Sequence, residues 1–368
     1  MLRRLLRILL LVLVLVLAAC TRPPSAKRTV AGVDNLAGPA VPGTGAGLFR
    51  DERFEELAVS GARKAGVETP LARDDRFHLG SCTKAMTATL AGLLVEAGTL
   101  DWSTPLGDLL PNLAGTPYAA LRFDTLLVHR AGLPATHPVL RELAELAPRD
   151  GRRRISEVVL ALPPATPPGE TFRYSNLSYI VAAHALETAS RKPWEELVRE
   201  ELFEPLGMSS CGVGPTSRED ERTPSGPWGH ARANGTWVPR HFDNPLAMAP
   251  SSSVHCSLED WGKFLKLHLD GFNEAPRLLT AETFRKLHQT HPAGDSSYTY
   301  GGWNLLSRRW ASGPVLAHTG SNTLNYANVW IAPRRNAFVL ATANAGGDAG
   351  FRATDDLLQR LIRRHLPE

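Results

Sequence analysis

Ser81 and Lys84 stand three residues apart in HLGSCTKAMTATLAGLLVEAG, His78 to Gly98, a segment that carries no further charge until Glu96. Ser81 follows a glycine at the start of a helical pattern, where serine commonly caps a helix and Lys84 would be a solvated first-turn lysine. The same pair could instead be a nucleophile and its base. The residues behind the pair favour chemistry. AMTATLAGLLV is small or apolar on every face, as in a helix buried all round, so a lysine at its head has poor access to water. Burial favours the neutral amine and lowers its pKa towards the range in which it accepts a proton near pH 7. Residues i and i+3 are neighbours on a helix, and the helix start lends positive potential where an oxyanion would form.

Two further stretches hold chemistry-bearing residues. In PGETFRYSNLSYIVAAHALE, Tyr174 and Asn176 precede a helix. A tyrosine hydroxyl beside an amine can move a proton, and an asparagine amide can hold both a lysine and a substrate carbonyl. Structurally, Asn176 could be only a cap and Tyr174 a core ring with a wet hydroxyl. In LAHTGSN, His318, Thr319 and Gly320 end a strand-like run and are followed by Ser321.

None of these stretches is specific alone. In this order, with 93 residues from Ser81 to Tyr174 and 144 from Tyr174 to His318, they resemble the Ser-x-x-Lys, Tyr-x-Asn and Lys/His-x-Gly motifs of the penicillin-recognising serine hydrolases. The similarity is closest to the class C β-lactamase and esterase branch. LLVHRAGLP (126–134), PPGETFRYSN (167–176), LFEPLGM (202–208) and SSSVHCSLEDWGKFL (251–265) resemble that family too, and the resemblance runs from residue 40 to 366. It implies an α/β (α+β) fold of the β-lactamase/transpeptidase type, an antiparallel sheet flanked by helices with an inserted helical region. It also implies roles: Ser81 the acylated nucleophile, Lys84 its base, Tyr174 a proton shuttle and Asn176 an orienting amide. His318, Thr319 and Gly320 would meet the substrate, and the N–H groups of Ser81 and Ser321 would form the oxyanion hole. The expected partner is a small-molecule or peptide substrate, with no metal or cofactor.

Three positions depart from the family pattern. His318 stands where β-lactamases and cell-wall transpeptidases usually carry lysine, and a histidine of ordinary pKa is largely neutral at pH 7. Carboxylate-bearing substrates should therefore bind less well than esters or peptides. Cys82 and Arg130 replace residues that are more often Ser/Val and Ser/Thr. Cys82 is expected to fill the core as a small hydrophobe.

The elements that must position these residues are readable in outline. Residues 1–20, MLRRLLRILLLVLVLVLAAC, have the arginines, the short apolar run and the small residues before a cysteine that mark an export signal. Leu17-Ala18-Ala19-Cys20 resembles a lipobox, which makes Cys20 the expected lipidation site; an uncleaved N-terminal anchor is the other reading. Both place a membrane-tethered domain outside the cytoplasm. Residues 21–47 look like a tether, and 48–368 like the hydrolase domain, with a sheet region at 48–118 and 275–368 around a helical region at 119–274. AGLFR and FEELAVSG suit a hairpin, YTYGGWNLL, VLAHTG, NYANVWIAP and AFVLATAN suit strands, and Leu357, Leu358, Leu361 and Ile362 make one stripe of a closing helix.

Composition excludes other classes. The formal charge of +4 from 41 basic and 37 acidic residues includes the three N-terminal arginines, so it does not argue for nucleic acid. Arg152-Arg153-Arg154 reads as a solvated face. Beyond Cys20, the cysteines Cys82, Cys211 and Cys256 permit at most one disulfide, and the sequence does not assign the pair. The His288-x-x-His291 pair lacks the carboxylate of a zinc motif.

Overall fold

The computed structural model describes residues 41–220 and 222–368. Residues 1–20, read as an export signal with Cys20, and residues 21–40 of the expected tether lie outside the described residues. Among the described residues eleven strands are formed: β1 (Gly43–Arg50), β2 (Arg53–Gly61), β3 (Phe77–His78), β4 (Gly212–Val213), β5 (Gly229–Ala233), β6 (Thr236–Arg240), β7 (Val254–Cys256), β8 (Asn304–Arg308), β9 (Gly313–Ser321), β10 (Tyr326–Ala332) and β11 (Ala337–Ala343). The main sheet has the order β2-β1-β11-β10-β9-β8, and every pairing in it is antiparallel. The principal helices are α1 (Thr83–Glu96), α2 (Pro148–Leu160), α3 (Asn176–Ser190), α4 (Leu258–Phe272), α5 (Ala281–His288) and α6 (Gly347–His365).

Strand β11 is buried along its whole length and divides the core by alternation. Val339 and Ala341 face α6, where they meet Leu357, Leu358, Leu361 and Ile362. Phe338 and Leu340 belong to the larger core shared with α1 and α4. The C-terminal stripe read from the sequence is therefore the cover of one sheet face. The opposite face packs against α4, and the core on that side takes in α1, whose buried residues run from Thr83 to Gly92 without a solvent-facing side.

Several expectations need correction. The tether does not extend to residue 47, because Gly43–Gly47 forms the first half of β1 and pairs with both β2 and β11. Its small residues suit a strand over which larger side chains close: a Cβ on Gly45 would come 2.8 Å from Leu258 and 3.3 Å from Phe77. The region 119–274 is not wholly helical, since the β5–β6 hairpin and the small sheet β3-β7-β4 join its helices together. Arg152 is not solvated. It is fully buried and pairs with Glu187 at 2.5 Å and Glu195 at 2.7 Å, leaving Arg153 and Arg154 to the surface. The disulfide joins Cys211 to Cys256 and ties the start of β4 to β7.

Candidate active site

Gly80–Cys82 forms one tight 3-10 turn that runs directly into α1. No side chain caps this junction, so Ser81 is not the helix cap that its position suggested and its hydroxyl is free for other contacts. Lys84, one residue into α1, is fully buried. Its Nζ lies 3.1 Å from Ser81 Oγ, 2.7 Å from Asn176 Oδ1 and 2.8 Å from the Ser251 carbonyl oxygen. Desolvation draws its pKa down to about 7.

These three contacts suit a neutral amine. An amide oxygen and a backbone carbonyl only accept hydrogen bonds, so they take the two N–H groups of a neutral lysine. In the neutral form the remaining lone pair can take the Ser81 O–H, whereas the protonated amine donates to Ser81 Oγ. The neutral form is the arrangement a general base needs before attack. Neighbouring Cys82 is a buried thiol whose pKa burial pushes up, which keeps it inert as expected for a core hydrophobe.

Asn176 is the first residue of α3, but the cap is Ser175, whose hydroxyl accepts from the Ser178 N–H at 3.3 Å. The Asn176 side chain is thus released to bind Lys84. Tyr174 is 37% exposed, yet its hydroxyl end meets the Ser81 side chain. Desolvation raises its pKa to about 12, so it is a protonated phenol at neutral pH. Lys84 Nζ lies 4.9 Å from the centre of the Tyr174 ring. Ser81, Lys84, Tyr174 and Asn176, distant in sequence, are therefore in one cluster.

Strand β9 supplies the other wall. Gly80 has φ +51, and a Cβ there would come 2.3 Å from Ser321 N; a Cβ on Gly320 would come 2.0 Å from Leu79 O and 2.8 Å from Ser81 N. Only glycine on both sides permits this approach. It brings the backbone amides of Ser81 and Ser321 to a shared edge, the pair expected to bind an oxyanion. Thr319 is exposed on β9.

His318 is brought towards the head of α1 but is 4% exposed. Its Nδ1–H donates to the Thr319 carbonyl at 2.7 Å, which leaves Nε2 to accept from the Tyr298 hydroxyl at 3.3 Å. Burial first, then Lys84, lowers its pKa to about 3, so it supplies no positive charge at neutral pH. Sequence reading missed the Ser251 carbonyl, a backbone group with no side-chain signature, and the buried contacts of His129, Tyr179 and Tyr298 around Tyr174. Arg130 is buried too, bonding the Glu170 carbonyl and pairing with Asp295. A separate cavity of about 470 Å³, lined by Leu109, Leu113, Leu160 and His184, shares no lining residue with this cluster. Among the described residues no group of side chains is arranged to hold a metal ion.

An antiparallel sheet whose Gly320 and Ser321 meet the turn that carries Ser81, directly ahead of a helix with a buried lysine, defines a serine hydrolase whose candidate base is lysine. The chain belongs to the Beta-lactamase family, whose model matches residues 33–364. It is similar to Penicillin-binding protein 4 of Amycolatopsis lactamdurans, 25% identical over 89% of this chain and 88% of the relative. It is also similar to D-alanyl-D-alanine-carboxypeptidase/endopeptidase AmpH of Escherichia coli, 25% identical over 73% of this chain and 71% of the relative. The fold matches a class C beta lactamase from Rhodobacter sphaeroides with a TM-score of 0.69 at 22% identity, over 90% of this chain and 98% of the other.

Proposed function

We propose that the protein hydrolyses esters, amides or D-amino-acid peptides through an acyl-enzyme on Ser81. The observation that carries this reading is the desolvated Lys84 amine, 3.1 Å from Ser81 Oγ, with its other contacts made to acceptors. Ser81 Oγ attacks the substrate carbonyl carbon as its proton passes to Lys84 Nζ, and the carbonyl oxygen becomes an oxyanion facing the Ser81 and Ser321 amides. The bond to the leaving group breaks; the leaving atom takes the Tyr174 proton, and Tyr174 regains one from Lys84. Water then attacks the acyl carbon and gives up a proton through the same groups. Acid leaves and Ser81 Oγ–H is restored.

Buried, neutral His318 supports a preference for substrates that lack a carboxylate next to the reacting carbonyl. The relative named as a carboxypeptidase and endopeptidase supports the peptide branch of this reading. Purified protein tested on a chromogenic cephalosporin and a short-chain nitrophenyl ester should show the higher kcat/KM on the ester; the reverse order removes the preference. Stable labelling by a fluorophosphonate probe without ester turnover would instead make the protein an acyl-binding sensor.

The export reading of residues 1–20 extends the proposal to a lipid-anchored protein of the cell envelope. Mass spectrometry of the mature N-terminus should find lipidated Cys20 as the first residue; a mature chain that still begins at Met1 removes the lipid anchor and leaves the uncleaved N-terminal anchor. Among the described residues no helix is long and apolar enough to cross a membrane.

A further inference from the structure

The segment that carries Tyr174 has little secondary structure of its own, yet it must hold a phenol against Ser81. Its backbone bonds run to one loop, 129–135. The Gly169 N–H donates to the Arg130 carbonyl at 2.7 Å and the Ala165 N–H to the Gly132 carbonyl at 2.8 Å. Ser175 Oγ donates to the Pro134 carbonyl at 2.6 Å. The contacts on either side of Tyr174 converge on one residue. The Arg173 N–H donates to the His129 carbonyl at 2.8 Å, and the Ser175 N–H donates to His129 Nδ1 at 3.2 Å. Between these two bonds the Tyr174 ring lies 4.3 Å from the His129 ring, centre to centre.

His129 is itself held for this task. It is 1% exposed and adopts φ +56, a left-handed conformation that costs a non-glycine residue free energy and persists only where surrounding contacts impose it. Tyr298 and Tyr179 flank its ring at 4.7 and 5.3 Å. Because Nδ1 accepts a hydrogen bond, the ring proton is on Nε2, which is buried with no hydrogen-bond partner among the described residues. Burial, and then the charge of Lys84, hold the ring neutral, as an acceptor must be.

We propose that His129 is the positioning residue for Tyr174: its carbonyl and Nδ1 clamp the backbone on both sides of the tyrosine and so fix where the phenol proton is delivered. His129 does not touch the reacting atoms. The inference rests on the reading of Tyr174 as the proton donor to the leaving group, and it assigns to an upstream loop the control of that one step. Attack by Ser81, set by Lys84, should be much less affected.

The test is a series of acetate esters whose leaving groups run from 4-nitrophenol to simple alkanols, assayed with wild type, Tyr174→Phe, His129→Phe and His129→Asn. Poor leaving groups need the donated proton and good ones do not. His129→Phe keeps a ring but leaves the Ser175 N–H without its acceptor. It should lose about 30-fold in kcat/KM on the alkyl esters and less than about threefold on the 4-nitrophenyl ester, a steepening shared with Tyr174→Phe. His129→Asn should track wild type, because asparagine Oδ1 occupies the Nδ1 position and asparagine tolerates positive φ. A uniform loss or no loss in His129→Phe, while Tyr174→Phe steepens, overturns the inference. A flat Tyr174→Phe series removes the donor role of Tyr174 and the inference with it, and identifies that reading as the one that failed. If His129→Phe does not fold, the decision rests on His129→Asn: a wild-type slope supports the proposal and a steepened one overturns it.

Discussion

Replacing Lys84 with methionine should lower kcat/KM for a nitrophenyl ester by on the order of 10³-fold while the protein stays folded. Methionine has nearly the length and shape of the lysine stem, so the packing of α1 is kept. The amine is what goes, and with it the proposed acceptor of the Ser81 proton, 3.1 Å from Ser81 Oγ. Two acceptors, Asn176 Oδ1 and the Ser251 carbonyl, lose their donor, which costs about 1–3 kcal/mol each when buried; removing a desolvated amine works in the opposite direction. Thermal unfolding should therefore move little compared with activity. The wild type carries its own control. Because Lys84 must be neutral to act and its pKa lies at about 7, kcat/KM should rise with pH through that value and level off above it. Unchanged ester turnover in Lys84→Met, or a pH profile with no limb near 7, would remove the lysine from the base role.

Acid should unfold this protein before its carboxylates titrate. His268 and His288 are buried together beneath α1: His288 Nε2 lies 3.0 Å from His268 Nδ1, and His268 Nε2 lies 3.0 Å from Thr89 Oγ1, whose hydroxyl donates to the Ala85 carbonyl. Because the Thr89 hydroxyl gives its proton to Ala85, His268 Nε2–H donates to Thr89 and His268 Nδ1 accepts from His288 Nε2–H, so the run is satisfied only while His268 is neutral. Burial lowers His288 to about 3 and His268 well below its ordinary value. A histidine depressed in the folded state takes up its proton more readily when unfolded. The stability it lends is complete above pH 6.5 and is lost as pH falls below it, at about 1.4 kcal/mol per pH unit for each ring. From pH 6.5 to 5 His288 alone costs roughly 2 kcal/mol, and His268 adds to it in the same direction, against an ordinary domain's 5–15 kcal/mol. His129, His255 and His318 shift in the same direction. Lys84 adds a separate window, between its unfolded pKa of 10.5 and about 7, in which stability also falls with pH. Urea unfolding at pH 7.5, 6.5 and 5.5 should show the midpoint dropping most below 6.5. The drop should shrink in His288→Gln, which removes one titrating ring. A midpoint that is level down to pH 5 would mean that these rings are protonated in the folded state.

Ser81 and Lys84 were legible because their evidence is local: three residues of spacing and a following run without polar faces. The hairpin of β1 and β2, the late strands and the α6 stripe were legible for a similar reason, since alternation and helical period write burial directly into the sequence. Arg152 shows where that stops. Among neighbouring arginines its side chain has no sequence mark of burial, and only the meeting of α2 with α3 and with the short helix that follows it, Trp194–Val198, places Glu187 and Glu195 around it. Gly43–Gly47 misled because glycine-rich text suits a tether as well as a strand. The choice was made by Leu57, Leu258 and Phe77, which close over it.

By itself the sequence determined the strand and helix periods, the order of the three motifs and the three-residue spacing of Ser81 and Lys84, all set by residue type and short-range pattern, and the resemblance those motifs carry implied the fold class. Tertiary structure decided the rest, because pKa and hydrogen-bond partnership depend on what surrounds a group and not on its neighbours in the chain. It placed a carbonyl from residue 251 on the amine of residue 84 and so fixed which proton that amine can accept. It released Ser81 and Asn176 from capping. It closed His318 inside the protein, where desolvation leaves it neutral.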